Sequence, residues 1–173
     1  MKTNNDIVNY CIKQVGRPYW YGCFGVKGSE SVYQAKQKQY PAQYPPKKWT
    51  YTSFREGYGQ KVHDCAGLVK GAIWSDSPDD PSPSYHSSQD YGANKFYECA
   101  EQKGKMDTFI DLPGILVFKG NDDKKDHIGV YVGNSKVIEA KGHAYGVVQS
   151  DLSDGWEYWG QCNLFVYDMN MVV

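Results

Sequence analysis

Residues 127–141 read HIGVYVGNSKVIEAK, two runs with a period of two on either side of Gly133-Asn134-Ser135. Ile128, Val130 and Val132 alternate against His127, Gly129 and Tyr131, and Ile138 and Ala140 alternate against Val137, Glu139 and Lys141. Such alternation marks half-buried strands, and Gly, Asn and Ser between them mark a hairpin. Both aliphatic sets share one face if the loop has an odd number of residues, as with 133–135, so that Val132 faces Lys136 and His127 faces Lys141. Glu139 then stands diagonal to His127 on the opposite face, and His143 joins them if the strand continues past Gly142. Parity does not choose between Glu139 and His143.

The runs around this hairpin extend it into a sheet. GILVFKG (114–120), YGVVQS (145–150) and YWGQCNLFVY (158–167) are short β-branched or aromatic stretches separated by Gly, Asn and Asp, as in consecutive antiparallel strands. The first half of the chain has the helical period instead. DIVNYCIKQVG (6–16) places Ile7, Val8, Cys11, Ile12 and Val15 on one face, with Asn5 or Asp6 as cap and Gly16 as stop. A second helix is expected from Cys65 to Trp74, and a third over Ser87–Gln102 from Ala93, Phe96, Tyr97 and Ala100. Helices first and a meander after them give the α+β class, with N-terminal helices packed on a central antiparallel sheet.

Residues 26–61 interrupt this order with Tyr, Lys, Gln, Ser and Pro and little apolar periodicity, and read as an insertion. Within it SESVYQAKQKQY (29–40) suits a short polar helix capped by Ser29, whereas the prolines of PAQYPPKKW (41–49) forbid one. Tyr33, Tyr40, Tyr44, Trp49, Tyr51 and Phe54 either wall the neighbouring cleft or pack the insertion onto the body.

The chemistry concentrates at VHDCAGLVKGAIW (62–74), where Cys65 stands between His63-Asp64 and an apolar helix. A helix N-terminus favours anions and can lower a thiol pKa from about 8.5 to roughly 3.5–7.5, which suits a nucleophile. A small core residue with Asp64 as N-cap is the alternative. A nucleophile needs a base, and the histidines are His63, His86, His127 and His143. His63, two residues from the thiol, tends to point away and His86 lies in a proline-rich loop, so the best placed candidate is His127, at the first residue of its strand.

Composition narrows the classes. A length of 173 residues suits one domain over 1–173, and a net charge of -1 offers no basic stripe for nucleic acid. No run approaches the roughly 20 apolar residues of a membrane span, and no apolar core follows Lys2, so neither membrane insertion nor a secretion signal is expected. The five cysteines are odd in number, irregularly spaced and without a C-x-x-C pair, which argues against a disulfide framework and a zinc site, and no cofactor or metal is expected.

GRPYWYG (16–22), DCAGLV (64–69), LPGILVF (112–118), HIGVYVG (127–133) and VIEA (137–140), in that order, resemble the NlpC-type family of papain-like cell-wall cysteine peptidases. The resemblance implies that Cys65 attacks a peptide carbonyl, that His127 serves as base and acid, and that the third catalytic residue is Glu139, with His143 as alternative. It implies that Tyr19, Tyr21 and Asp64 line the substrate site. Tyr21 stands where a tryptophan is usual, Ile115 where an aspartate is usual, and the segment before the nucleophile is longer than the common pattern. The implied activity is hydrolysis of the peptidoglycan stem peptide between γ-D-glutamyl and a diamino acid. The alternatives are an N-acetylmuramoyl-L-alanine amidase and a non-catalytic module that binds wall peptides. The implied protein is a monomer of the phage lysin type, made in the cytoplasm and acting on the cell wall after release.

Overall fold

The computed structural model describes residues 1–44 and 52–169. Helix α1 (Asn4–Gln14) comes first, then β1 (Phe24–Lys27), α2 (Glu30–Gln39), α3 (Thr52–Glu56), β2 (Lys61–His63) and α4 (Cys65–Trp74). Helix α5 (Ala93–Glu98) leads into β3 (Lys103–Lys105), β4 (Leu116–Gly120), β5 (Lys125–Gly133), β6 (Lys136–Ala140), β7 (Val147–Asp151) and β8 (Tyr158–Gly160). Strands β3 to β8 form a six-stranded antiparallel sheet in the order β3-β8-β4-β5-β6-β7. The α+β class expected from the sequence is the class observed.

The helices cover one face of the sheet. Ile7 and Cys11 of α1, Leu68 and Val69 of α4 and Phe96 of α5 pack against Ile128, Val130, Ile138 and Ala140, the aliphatic set that the alternation placed together. Each such side chain taken fully from water contributes roughly 1.5–3 kcal/mol. The other face buries Val117, Tyr131, Val137, Trp156 and Trp159.

Helix α1 begins earlier than its apolar spacing suggests. Thr3, not Asn5 or Asp6, is the N-cap, and its hydroxyl accepts from the Asp6 amide while the Asp6 carboxylate accepts from the Thr3 amide. The expected helix over Ser87–Gln102 is a short 3-10 turn (Ser87–Gln89) followed by α5 alone. Gly92 caps α5, and the ammonium of Lys103 donates to the carbonyls of Tyr97 and Glu98 at its end. In the hairpin, Val130 faces Ile138 and Tyr131 faces Val137, the register that the parity reading predicts. The turn is tighter than expected, because Gly133 pairs with Lys136 across Asn134 and Ser135, both at positive φ, and a bulge after Tyr131 restores the parity.

Inside the expected insertion, α2 forms as read, with the Ser29 hydroxyl accepting from the Val32 amide. Its entry and exit meet, since β1 pairs with β2 through Val26↔Val62 and Lys27↔Lys61. Tyr33, Tyr44 and Phe54 are buried around Trp20, whose indole N–H donates to the Ser53 carbonyl at 2.9 Å. They fasten the segment to the body, while Trp49 and Tyr51 lie outside the described residues.

Candidate active site

Helix α4 places Cys65 at its first residue, and Asp64 is its N-cap. One carboxylate oxygen of Asp64 accepts from the Gly67 amide at 2.6 Å and the other from the Gly22 amide at 2.7 Å. Asp64, expected to line the substrate site, is therefore also the joint between α4 and the segment before β1. Gly67 is required at that joint, because a Cβ there would run into the Cys23 carbonyl oxygen. Burial holds the Asp64 carboxyl above its usual range, against the opposing pull of Lys70 and the two amides.

Cys65 is partly exposed, one of five free cysteines. Burial, with the Asp64 charge second, pushes its thiol up to about 12, while the backbone amides of Ala66, Ile128 and Cys65 itself act in the opposite direction. Burial and Asp64 thus oppose the thiolate that the helix start favours. The part played by the Ile128 amide places the sulfur against β5, next to His127 along the strand.

His127 is not the first residue of its strand, which starts at Lys125. Its Nε2 lies 2.5 Å from Oε2 of Glu139 on β6, and the other carboxylate oxygen accepts from the Ser150 hydroxyl on β7. Glu139 is 1% exposed and His127 21%. Burial opposes ionisation of Glu139, but the hydrogen bonds from His127 and Ser150 and the charges of His127 and Lys119 outweigh it and hold the carboxyl below its ordinary range. With Nε2 taken, Nδ1 is the nitrogen left for an incoming proton.

Trp156, in the loop between β7 and β8, stacks on the His127 ring with centroids 5.6 Å apart and planes at 18°. The Lys119 ammonium lies 4.6 Å from the centre of the same indole. Gly129 admits this ring, since a Cβ there would stand 2.8 Å from the indole and 2.6 Å from Val137 Cγ1. Neither Trp156 nor Ser150 stands out in the sequence. Ser150 was within reach of the pleat reading, because Val137 faces Ser150 and Glu139 faces Val148 across β6 and β7.

His143 is elsewhere. It sits in the turn after β6 with its ring 4.5 Å from Phe54, 4.9 Å from Tyr19 and 6.2 Å from Tyr44, centre to centre, and burial lowers its pKa to about 4. The strand ends at Ala140 and does not carry His143 to the face of His127. Tyr19 is largely buried against it, and burial, Asp64 and Cys65 together raise its phenol. Tyr21 and Asp64 do line an open cleft beside Cys65, and Tyr19 is not part of its lining. His63 is fully buried, its Nε2 at 2.8 Å from the Tyr10 hydroxyl, and burial lowers its pKa to about 3. Among the described residues, no cluster of His, Cys, Asp and Glu could hold a metal ion, and no helix is long and apolar enough to cross a membrane.

Comparison with known proteins gives the arrangement its relatives. No curated protein matches. Among solved structures, the chain is similar to the resuscitation promoting factor interacting protein RipA mutated at a cysteine, with TM-score 0.54 and 17% identity over 92% of this chain and 61% of that one. A hypothetical invasion protein of Mycobacterium tuberculosis matches with TM-score 0.54 and 18% identity over the same shares, 92% and 61%. NlpC1 from Trichomonas vaginalis matches with TM-score 0.51 and 16% identity over 91% of this chain and 45% of that one. The chain thus spans about three fifths of the length of the first two. The model of the NlpC/P60 family matches residues 51–164, which carry Cys65, His127 and Glu139, and the chain belongs to that family.

Proposed function

We propose that this protein is a peptidoglycan hydrolase, a cysteine endopeptidase that cuts the stem peptide between γ-D-glutamyl and a diamino acid. One observation carries the reading: a helix-start thiol lies against the strand of a histidine whose far nitrogen is fixed by a buried carboxylate at 2.5 Å. Family membership supports it. So does the relative RipA, whose solved forms include one mutated at a cysteine, one at a histidine and one at a glutamate, the same three residue types.

In this reading Nδ1 of His127 takes the Cys65 proton as the sulfur attacks the carbonyl carbon. Burial and the Asp64 charge disfavour the thiolate, so the imidazole is what draws the proton off the sulfur for attack. The Cys65 amide, at the open start of α4, donates to the oxyanion. Glu139 orients the imidazole and supports the charge it gains. His127 then protonates the leaving amine, the acyl group stays on sulfur, and a water activated by the same imidazole releases it.

The test is a digest of purified peptidoglycan followed by mass spectrometry of the soluble fragments, with Cys65→Ala alongside. Fragments ending in γ-D-glutamate, absent with Cys65→Ala, are the expected result. Release of whole stems from the sugar would replace this reading with an amidase, and binding without fragments would replace it with a wall-peptide binding module.

A further inference from the structure

A cleft of about 540 Å³, lined by Asp64 and Ala66 on either side of Cys65 in the chain, extends to Lys36 and Gln39 of α2 and to Tyr40. Its donors and acceptors are unequally used. The acceptor oxygens of its two carboxylates are engaged, those of Asp64 by the Gly67 and Gly22 amides and those of Asp90 by Lys70 at 2.6 Å and the Tyr85 hydroxyl at 3.0 Å. The donors are not. The Lys36 ammonium meets only the Gln39 side-chain oxygen at 3.3 Å and the face of Tyr40 at 5.6 Å, with no carboxylate in ion-pair range among the described residues. The Tyr21 and Tyr40 side chains pack edge to face at 5.1 Å, and their hydroxyls have no hydrogen-bond partner among the described residues. Lys36 lines the cleft, and its charge weakly opposes the burial that raises the Asp64 carboxyl and adds weakly to the lowering of Asp90. A lysine without an ion pair and two phenols without partners among the described residues, beside carboxylates whose oxygens are already engaged, suit an anionic, acceptor-only ligand.

We infer that this cleft binds a free carboxylate of the substrate peptide, with Lys36 as its counter-ion and the Tyr21 and Tyr40 hydroxyls as further donors. The inference rests on the stem-peptide reading above and adds a preference to it. A γ-linked glutamyl residue presents a free α-carboxyl on the residue whose carbonyl Cys65 attacks, and Asp64 and Ala66, on either side of Cys65, line the same cleft. Stems in which that carboxyl is amidated lose the ion pair. Lys36 stands outside residues 51–164, so this preference belongs to the added segment and not to the part that matches the family.

Calorimetric titration of Cys65→Ala protein measures binding without turnover. The probes are L-alanyl-γ-D-glutamyl-L-lysine, its α-carboxamide and its C-terminal amide. With Lys36 present, one amidation should weaken binding about tenfold, the order of a charge-assisted hydrogen bond in a partly open site. Its position identifies which carboxylate is held. In Cys65→Ala/Lys36→Met that ratio should fall to about one, and Lys36→Arg should restore most of it. A ratio unaltered by Lys36→Met, or equal affinity for all three peptides, would overturn the inference. The digest by unaltered protein judges the hydrolase reading separately: fragments with no carboxylate discrimination remove the cleft assignment alone, and discrimination without fragments removes the hydrolase alone.

Discussion

Replacing Glu139 by Gln separates charge from shape at the centre of the site. The amide keeps the volume of a side chain that is 1% exposed, and it can keep both partners: its oxygen accepts from His127 Nε2 and its NH2 donates to the Ser150 hydroxyl. What is lost is the negative charge beside an imidazole that becomes cationic in the transition state. A hydrogen bond to a charged group contributes about 1.5–3 kcal/mol and a neutral one about 0.5–1.5, so the loss is about 1–2 kcal/mol. Since about 1.4 kcal/mol is tenfold in rate, kcat should fall about 5- to 30-fold. KM should change little, because Glu139 is buried behind His127 and lies outside the lining of the cleft. The assay is steady-state hydrolysis of a purified muropeptide, with His143→Ala in parallel. A Glu139→Gln enzyme within twofold of the unaltered protein, beside a crippled His143→Ala enzyme, would refute the assignment of the third residue.

Cys65→Ala should abolish muropeptide hydrolysis, while Cys11→Ala, Cys23→Ala, Cys99→Ala and Cys162→Ala keep kcat, and a cleaving Cys65→Ala protein would remove the mechanism. With the thiol at about 12, iodoacetamide labelling of Cys65 should keep accelerating as pH rises from 7 to 10, whereas a flat rate over that range would indicate a resting thiolate. Gly129→Ala puts a methyl against Trp156 and Val137, and should lower both kcat and the urea midpoint, while Trp156→Leu should lower kcat with KM nearly constant. Unchanged kcat in both would leave the stacked indole without a role at His127. Burial lowers His63 and His143 to about 3 and about 4 in the folded protein, below the ordinary 6.5 of histidine, so the unfolded chain takes up their protons first. Their contribution to stability is complete above 6.5 and is lost as pH falls from 6.5 toward 4, at up to about 1.4 kcal/mol per pH unit for each. Urea unfolding at pH 7 and pH 5 checks this, and equal midpoints would contradict it.

Much of the frame was legible because periodicity is a direct imprint of burial. Ile128, Val130, Ile138 and Ala140 alternate in the chain and share a core in the fold, and α4 runs from Cys65 to Trp74 as its apolar run does. Boundaries set by single polar groups were not legible: Thr3 displaced Asn5 and Asp6 as the cap, and Gly92 cut the expected helix to Ala93–Glu98. At the site, parity narrowed the partner of His127 to Glu139 or His143. The structure separated them because β6 ends at Ala140 and aromatic packing draws His143 toward Phe54 and Tyr19. Trp156 and Lys36 were beyond reach, since each comes to the site from a segment whose path is decided by tertiary packing and not by its own pattern.

The pairing of Val26 with Val62 and of Lys27 with Lys61 makes residues 28–60 leave and re-enter the body at neighbouring points. Closing a longer or shorter excursion between clamped ends changes the entropy only slowly, by about 0.6 kcal/mol for each doubling of its length. Cys65 is anchored on the far side of that clamp by Asp64 and α4, and what the excursion adds to this anchor is the packing of Tyr33, Tyr44 and Phe54 on Trp20, two residues before the Gly22 amide that holds Asp64. The outer part of residues 28–60 can therefore be treated as an exchangeable cassette: a segment of different length or charge that keeps the three aromatics on Trp20 would reset the chemistry of one cleft wall and leave the reacting atoms where they are.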